Sequence, residues 1–435
     1  MIRFRTDCRQ HAMSRTGAFR FAVLVATFVL SLAPPAGLAS QPRMGASLNG
    51  AEAQIKLVFD KIQQARLTAA LDEVDRLIAR HPNFRLAHLV RGDLLLARAR
   101  PIDKFGNTGH AGRERLDELR AEAIARLRAW TDHPPADRIP AALLWLDPEQ
   151  RHAVIVDAAR SRVYVYENAG GTPRLVKDYY TTIGKYGIEK TLEGDKKTPV
   201  GVYRVTSRIP GAKLPDLYGW GAFPIDYPNE WDRRRGRTGY GIWLHGVPAD
   251  NYARAPWASD GCVALANPDI AELGKRVQTG VTPVIIADRV EWLAPAAWHA
   301  ERGAFMAQLQ AWRADWESRD AARYLSHYAR DFRAERMDLS AWSAHKRRVN
   351  AGKKWITVSL ENVSVFRSPG KEKLVVATFD QDYRSSNHAQ RARKRQYWVE
   401  EDGRWKIAYE APVKGAKVIL PESFPGNPRG AGRDP

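Results

Sequence analysis

Cys262 and His245 are the two side chains of this 435-residue sequence best suited to doing chemistry together. An apolar run, Gly241-Ile-Trp-Leu, ends on His245-Gly246, and a loop then leads to Ser259-Asp260-Gly261-Cys262 before a second apolar run begins at Val263. A strand that delivers an imidazole at its end, and a loop that returns to a thiol, place the two across a loop mouth. A free thiol with a pKa near ~8.5 is little ionised at neutral pH, so attack by Cys262 needs a base beside it. His245 can be that base. No carboxylate stands at an obvious orienting position, and the backbone carbonyl of Gly246 can take the second ring N–H instead. Gly261 removes side-chain bulk next to the nucleophile, so the N–H groups of Gly261 and Cys262 are expected to face a developing oxyanion. Ser259 could be a nucleophile in principle; three residues from a cysteine, it reads better as a loop hydrogen bond or a substrate contact.

Other chemistry-bearing residues form weaker patterns. Arg233-Arg234-Arg235 and Arg237 lie in a polar, Gly-containing stretch before the histidine strand; a solvated loop and a grip on acidic substrate groups are both open, with Arg237 the substrate-binding candidate. The remaining histidines are scattered, without His-x-x-x-His or paired-cysteine spacing, so no metal site is expected. Ile183-Gly-Lys-Tyr186 lacks the first glycine and the hydroxyl residue of a phosphate loop, which argues against nucleotide binding. No cofactor is implied.

The formal net charge is +19, spread along the chain. It favours anionic neighbours, yet no finger-like, RNP-like or basic-zipper pattern points to nucleic acid. Residues 1–39 have the layout of a secretory signal: scattered arginines, an uncharged apolar run from Phe21 to Ala33, then Gly37 and Ala39 at cleavage-site spacing. That run is shorter than the ~20 residues a membrane span needs, so export to the periplasm or cell envelope with no retained anchor is expected. Removal of the segment takes Cys8 with it and leaves Cys262 as a lone thiol in an oxidising compartment, which asks for a reason such as nucleophilic chemistry.

The elements around the pair divide the chain into a multidomain α+β protein. In a helical segment over 45–130, apolar residues between about Ala51 and Arg100 recur three and four apart (Leu71, Val74, Leu77-Ile78, then Leu86, Leu89-Val90), with Pro82 between two helices. The placing of Pro82 and Gly92 resembles one and a half tetratricopeptide repeats, and this helical segment would either pack on the next domain or dock a protein partner. A polar linker, Asp132 to Asp137, precedes a β-rich region over 150–289. Its strands are expected at His152 to Asp157, Arg162 to Glu167, Leu175 to Thr182, Val200 to Ser207, Gly241 to His245 and Pro283 to Ala287, with one helix near Pro268 to Gln278. Over 298–412, helices (Phe305 to Ser318, Ala321 to Tyr328, Ser340 to Val349) give way to strands, with Asp402-Gly403 as a hairpin turn. Helices followed by a curved antiparallel sheet resemble the SnoaL-like, nuclear-transport-factor-like cone. The tail over 413–435, rich in Gly, Pro and basic residues, is expected to be disordered.

His245-Gly246, a gap, and Ser259-x-Gly261-Cys262 resemble the signature of the L,D-transpeptidase (YkuD-type) catalytic domain, as do Gly194-Asp-Lys-Lys-Thr-Pro-Val-Gly-Val-Tyr203 and Phe223-Pro-Ile-Asp-Tyr-Pro-Asn229. The resemblance implies that Cys262 is acylated by a peptidoglycan stem peptide with His245 as base, Gly246 as orienting carbonyl and Gly261 with Cys262 as oxyanion site. Transpeptidation then follows, or hydrolysis as a carboxypeptidase or as an amidase that releases wall-bound lipoprotein; an inactive murein-binding scaffold is the reading of another class. Wall-anchored lipoprotein or protein partners would meet the N-terminal helices and the C-terminal cone. Two positions depart from the family. Asp260 stands where many members carry His, and Ala264 stands where many carry an Arg implied to handle the substrate carboxylate. With Ser259 and Arg237, Asp260 completes the substrate-binding candidates.

Overall fold

The computed structural model describes residues 50–107, 112–334 and 337–413. The expected signal segment and the C-terminal tail beyond Val413 lie outside the described residues. Four helices come first: α1 (Gly50–Gln63), α2 (Leu67–Arg80), α3 (Arg85–Leu96) and α4 (Arg113–Thr131). In α2 the buried side chains Ala70, Leu71, Val74 and Leu77 form the face that the periodicity predicts, and Pro82 lies in the turn before α3. This face does not close on itself. Its core of Ile55, Val58, Leu77, Phe84, Leu86 and Trp130 continues into Tyr252 and Ala266 of the β-rich region, so the helices are packed onto that region.

The β-rich region is built on a five-stranded sheet, in the order Thr172–Tyr180, Arg162–Ala169, His152–Asp157, Pro283–Ala287, Gly201–Arg204. The two innermost strands run parallel, with Val154 opposite Val284 and Ile155 opposite Ile285. Both are continuous β-branched runs because both faces of the sheet are covered. Val154, Val156 and Val284 point into a core with Phe223, Leu244 and Val263, beneath the catalytic candidates. The alternate residues Ile155 and Ile285 point into a second core shared with Phe366, Val376 and Tyr397 of the C-terminal region. A four-stranded sheet, Val263–Ala264, Trp243–His245, Gly221–Pro224, Ile209–Pro210, carries the site. The single helix expected here is α6 (Asn267–Gly274), with Pro268 in its first turn; a shorter helix, α5 (Glu230–Arg234), was not legible. Its start is a capping box between Asn229 and Asp232, which occupies what reads in sequence as a polar loop.

In the C-terminal region α7 (Pro295–Glu317) lines up Trp298, Phe305, Leu309, Trp312 and Trp316 on its buried face. They pack on a seven-stranded sheet that includes Arg404–Pro412, His388–Glu401, Leu374–Ser385 and Ile356–Arg367 as neighbours. Asp402 and Gly403 have φ of 53° and 71°, as the hairpin turn requires. One expectation fails here. Helix α8 (Ala321–Leu325) stops short, and Tyr328 opens the strand Tyr328–Ala334, because its buried ring packs with Tyr324 and Phe332 and its backbone pairs beside Ile407. The stretch after the linker, which carries no sequence expectation, supplies Leu143–Trp145 as the edge strand of the C-terminal sheet, against Val365 and Phe366. Helix α9 (Leu339–Ala351) completes the region. No helix among the described residues is long and apolar enough to cross a membrane.

Candidate active site

His245 ends its strand beside Val263–Ala264, which runs parallel to it with Leu244 opposite Val263 and His245 opposite Ala264. Carrying that register back one residue places Cys262 beside Trp243. Side chains alternate along a strand, so Trp243 and His245 share a face, and Cys262 joins them as a diagonal neighbour of the imidazole. The sequence expectation that a strand end and a loop return bring the two together is therefore realised through a sheet pairing. Cys262 is a free cysteine and partly exposed; its Sγ donates to the Gly241 carbonyl at 3.3 Å.

His245 is buried, and its Nδ1 lies 2.6 Å from the Gly246 carbonyl. That contact fixes the tautomer with the proton on Nδ1, leaving Nε2 with a lone pair. Burial brings the His245 pKa down to about 4, opposed by the Gly246 hydrogen bond and assisted by the Arg254 charge. Burial likewise pushes the Cys262 thiol up to about 11; an N–H from Trp243 and the charges of Arg254 and Lys190 act against this, and Asp260 adds to it. The resting pair is consequently a neutral thiol and a neutral imidazole.

Gly246 has no room for a side chain: a Cβ there would lie 2.1 Å from Asn267 Oδ1 and 2.9 Å from the Trp220 nitrogen. Asn267, the first residue of α6, is the clamp that sequence reading missed. Its Oδ1 accepts from Trp220 N–H at 2.9 Å and Val247 N–H at 3.2 Å, and its Nδ2 donates to the Val247 carbonyl at 2.8 Å. It thereby fixes the turn whose carbonyl holds His245. Tyr218 was missed as well: its ring stands edge-on to His245 at 5.0 Å and packs on Trp243 at 4.9 Å. A tyrosine in a Pro- and Gly-rich loop gave no signal, since nothing in the sequence says that this loop folds back over the histidine strand.

The nucleophile loop differs from the sequence expectation in two ways. Gly261 has φ +119°, and a Cβ there would lie 2.8 Å from the Lys197 carbonyl, so glycine is required; but its N–H already donates to Ser259 Oγ at 3.1 Å. It is therefore not the oxyanion donor in this arrangement. Ser259 is buried, and its hydroxyl also donates to the Cys262 carbonyl at 2.6 Å, which makes it a staple of the loop in place of a substrate contact. Thr198, from the Gly194 to Tyr203 motif, donates to the Gly261 carbonyl at 2.9 Å and so ties that motif to the nucleophile.

The other candidates fall at the rim or beyond it. Asp260 is exposed and pairs loosely with Lys196 at 3.5 Å. Arg237 is committed to Asp232 at 2.9 Å, and Arg234 and Arg235 reach Asp331 and Glu372 of the C-terminal region. The arginine cluster thus joins regions of the chain through ion pairs. Among the described residues no group of His, Cys, Asp and Glu could hold a metal ion.

A lone cysteine and an oriented histidine on paired strands, with a glycine-shaped loop at the thiol, form an arrangement suited to thiol chemistry. The L,D-transpeptidase (YkuD) catalytic-domain model matches residues 151–286, and the Cds6 C-terminal NTF2-like domain matches residues 304–411; the chain combines these two domains. Bd1075 of Bdellovibrio bacteriovorus is similar over 65% of this chain and 100% of its own, at 28% identity and a TM-score of 0.58. The helical cell shape determining protein Pgp2 from Campylobacter jejuni is similar over 63% of this chain and 95% of its own, at 26% identity and a TM-score of 0.55. No curated protein matches the sequence.

Proposed function

We propose that this protein is an exported, cysteine-dependent L,D-transpeptidase that remodels peptidoglycan and so contributes to cell shape. The observation that carries the reading is the pairing of Cys262 with His245, whose Nδ1 is held by Gly246 at 2.6 Å. As the Cys262 sulfur attacks the carbonyl of the third stem residue, His245 Nε2 takes the thiol proton. With the Gly261 N–H given to Ser259 Oγ, the Cys262 N–H is the backbone donor this reading assigns to the oxyanion. Collapse of the tetrahedral species forms the thioester and breaks the bond to the terminal D-alanine, whose amine leaves with the proton from His245. An incoming amine gives a crosslink; water gives a shortened stem and makes the protein a carboxypeptidase.

Incubation with purified tetrapeptide muropeptides tests this by mass spectrometry. Loss of D-alanine with crosslinked dimers supports transpeptidation, and loss with free tripeptides alone supports hydrolysis. No loss, together with no acyl adduct on Cys262 after exposure to a carbapenem, leaves the murein-binding scaffold. Cys262→Ala abolishes both reactions if the thioester is real.

A further inference from the structure

We propose that a groove between α5 and α9, lined by arginines and by no lysine, binds a polymer that carries repeated phosphate groups. The inference goes beyond the acyl-transfer reading and stands whether or not Cys262 is acylated. Arg233, Arg234 and Arg235 of the α5 segment, Arg330 and Arg333 of the strand Tyr328–Ala334, and Arg347 of α9 line one open groove of about 1240 Å³. Two of them are neutralised locally: Arg234 pairs with Asp331 at 2.7 Å and Arg235 with Glu372. The other four are not. Arg233 donates to the Pro228 carbonyl, and the exposed Arg330 guanidinium comes no nearer than 3.6 Å to Glu401 and Asp402. Among the described residues Arg333 and Arg347 make no ion pair. The remaining carboxylates of the groove are already engaged: Glu230 meets Arg395 at 3.1 Å and Tyr397 at 2.9 Å, and Asp338 caps α9 by accepting from Ala341 N–H at 2.9 Å. Folding therefore gathers four uncompensated guanidinium groups from three elements, an arrangement that self-repulsion opposes until an anion enters.

The lining narrows the chemistry of that anion. A guanidinium fork meets an oxyanion through two parallel hydrogen bonds, whereas an ammonium acts as a point charge. The groove is open and exceeds the roughly 300–1,000 Å³ of a small-molecule pocket, so it suits a segment of a chain better than a single ion. Phosphate units fit best, because each offers oxygens to guanidinium groups of two elements at once and keeps its charge in mild acid, where carboxylates lose theirs. The exposed hydroxyl of Ser340, also in the lining, adds a donor. A linear polyphosphate and a phosphodiester polymer of the cell envelope present this same chemistry.

The test is calorimetric titration of the purified protein with inorganic polyphosphate, with poly(glycerol phosphate) and with poly-L-glutamate. Wild type is compared with the groove variant Arg333→Gln/Arg347→Gln and with Arg113→Gln/Arg115→Gln, which removes the same charge from exposed positions of α4. The groove variant is expected to bind the phosphate polymers about 10- to 100-fold more weakly. Its slope of log Kd against log salt should fall by about two, one for each lost phosphate contact. The α4 variant should stay within about twofold of wild type. Whichever phosphate polymer binds more tightly identifies the source. Equal weakening in both variants overturns the proposal, since net charge alone then explains the binding. Tighter binding of poly-L-glutamate, or failure of wild type to bind either phosphate polymer, overturns it as well. Should the groove variant lose its circular dichroism spectrum, wild type still decides: polymer must shield Arg333 and Arg347, and not Arg113 and Arg115, from phenylglyoxal in peptide mass spectrometry, and absence of that shielding overturns the assignment.

Discussion

His245 and Cys262 rest uncharged, and this sets the pH behaviour of the site. A group whose protonated form is disfavoured by burial, as in His245 with its pKa near 4, is already a competent base across the neutral range. Cys262, raised to about 11, stays a thiol over the same range. Acylation by a murein peptide is therefore expected to rise with pH only up to about pH 5 and then stay level to about pH 9. Alkylation by iodoacetamide, which needs the thiolate, should instead rise about tenfold per pH unit up to about pH 10. An inflection near neutrality in either profile would point to a preformed thiolate–imidazolium pair. Asn267→Ala removes the acceptor for two N–H groups and a donor to Val247, and releases the Gly246 turn. Because small misplacements of a catalytic group are costly, its kcat is expected to fall about 10- to 100-fold, with KM little changed, in the muropeptide assay.

At the level of elements, the N-terminal helices hold the loop between His245 and Cys262. Asn83 Nδ2 donates to the Ala249 carbonyl at 3.0 Å, Tyr252 N–H donates to the Asn83 carbonyl at 3.1 Å, and Phe84 stacks on Tyr252 with ring centroids 4.5 Å apart. A buried charge cluster secures the same interface: Arg162, at 1% exposure, bridges Glu52 of α1 at 2.9 Å and Asp178, while Arg126 of α4 meets Glu52 and Glu122. Phe84→Ala should lower the stability to urea by about 3 to 5 kcal/mol, through the lost apolar burial and the cavity left behind. Asn83→Ala keeps that packing; it is expected to cost about 1 kcal/mol and to speed amide exchange over 248–255 while the strand His152–Asp157 stays protected. The helices were legible from their periodicity, but their purpose was not, since the periodicity marks an apolar face without saying what covers it.

Across the whole molecule, the NTF2-like region is bound into the catalytic domain. The edge strand Leu143–Trp145 belongs to its sheet, and Ile155, Ile285, Phe366 and Val376 share one core. Arg395, buried, reaches Asp226 at 3.2 Å and Glu230 at 3.1 Å, and Tyr397 donates to Glu230 at 2.9 Å. Removing one member of such a cluster strands the charges that remain, so Arg395→Ala should cost about 3 to 5 kcal/mol in chemical denaturation. With cores shared in this way, near-UV and far-UV circular dichroism should report a single unfolding transition; two separated transitions would show that the domains unfold independently.

The sequence by itself singled out the candidate pair and the main elements. Cys262, His245 and Gly246 are read from residue type and spacing, and long periodic runs such as His152 to Asp157 and α7 declare themselves because one side chain in every two or every three to four must be buried. Only the tertiary structure decided which hydrogen-bonding groups near the thiol are already engaged. Ser259 takes the Gly261 N–H, Arg237 and its neighbours are spent on Asp232, Asp331 and Glu372, and Asn267 and Tyr218 come to the site from segments distant in the chain or silent in pattern. The physical reason is that periodicity encodes burial, a local property of the chain, whereas the partner of a polar group is set by what the fold brings within about 3 Å of it.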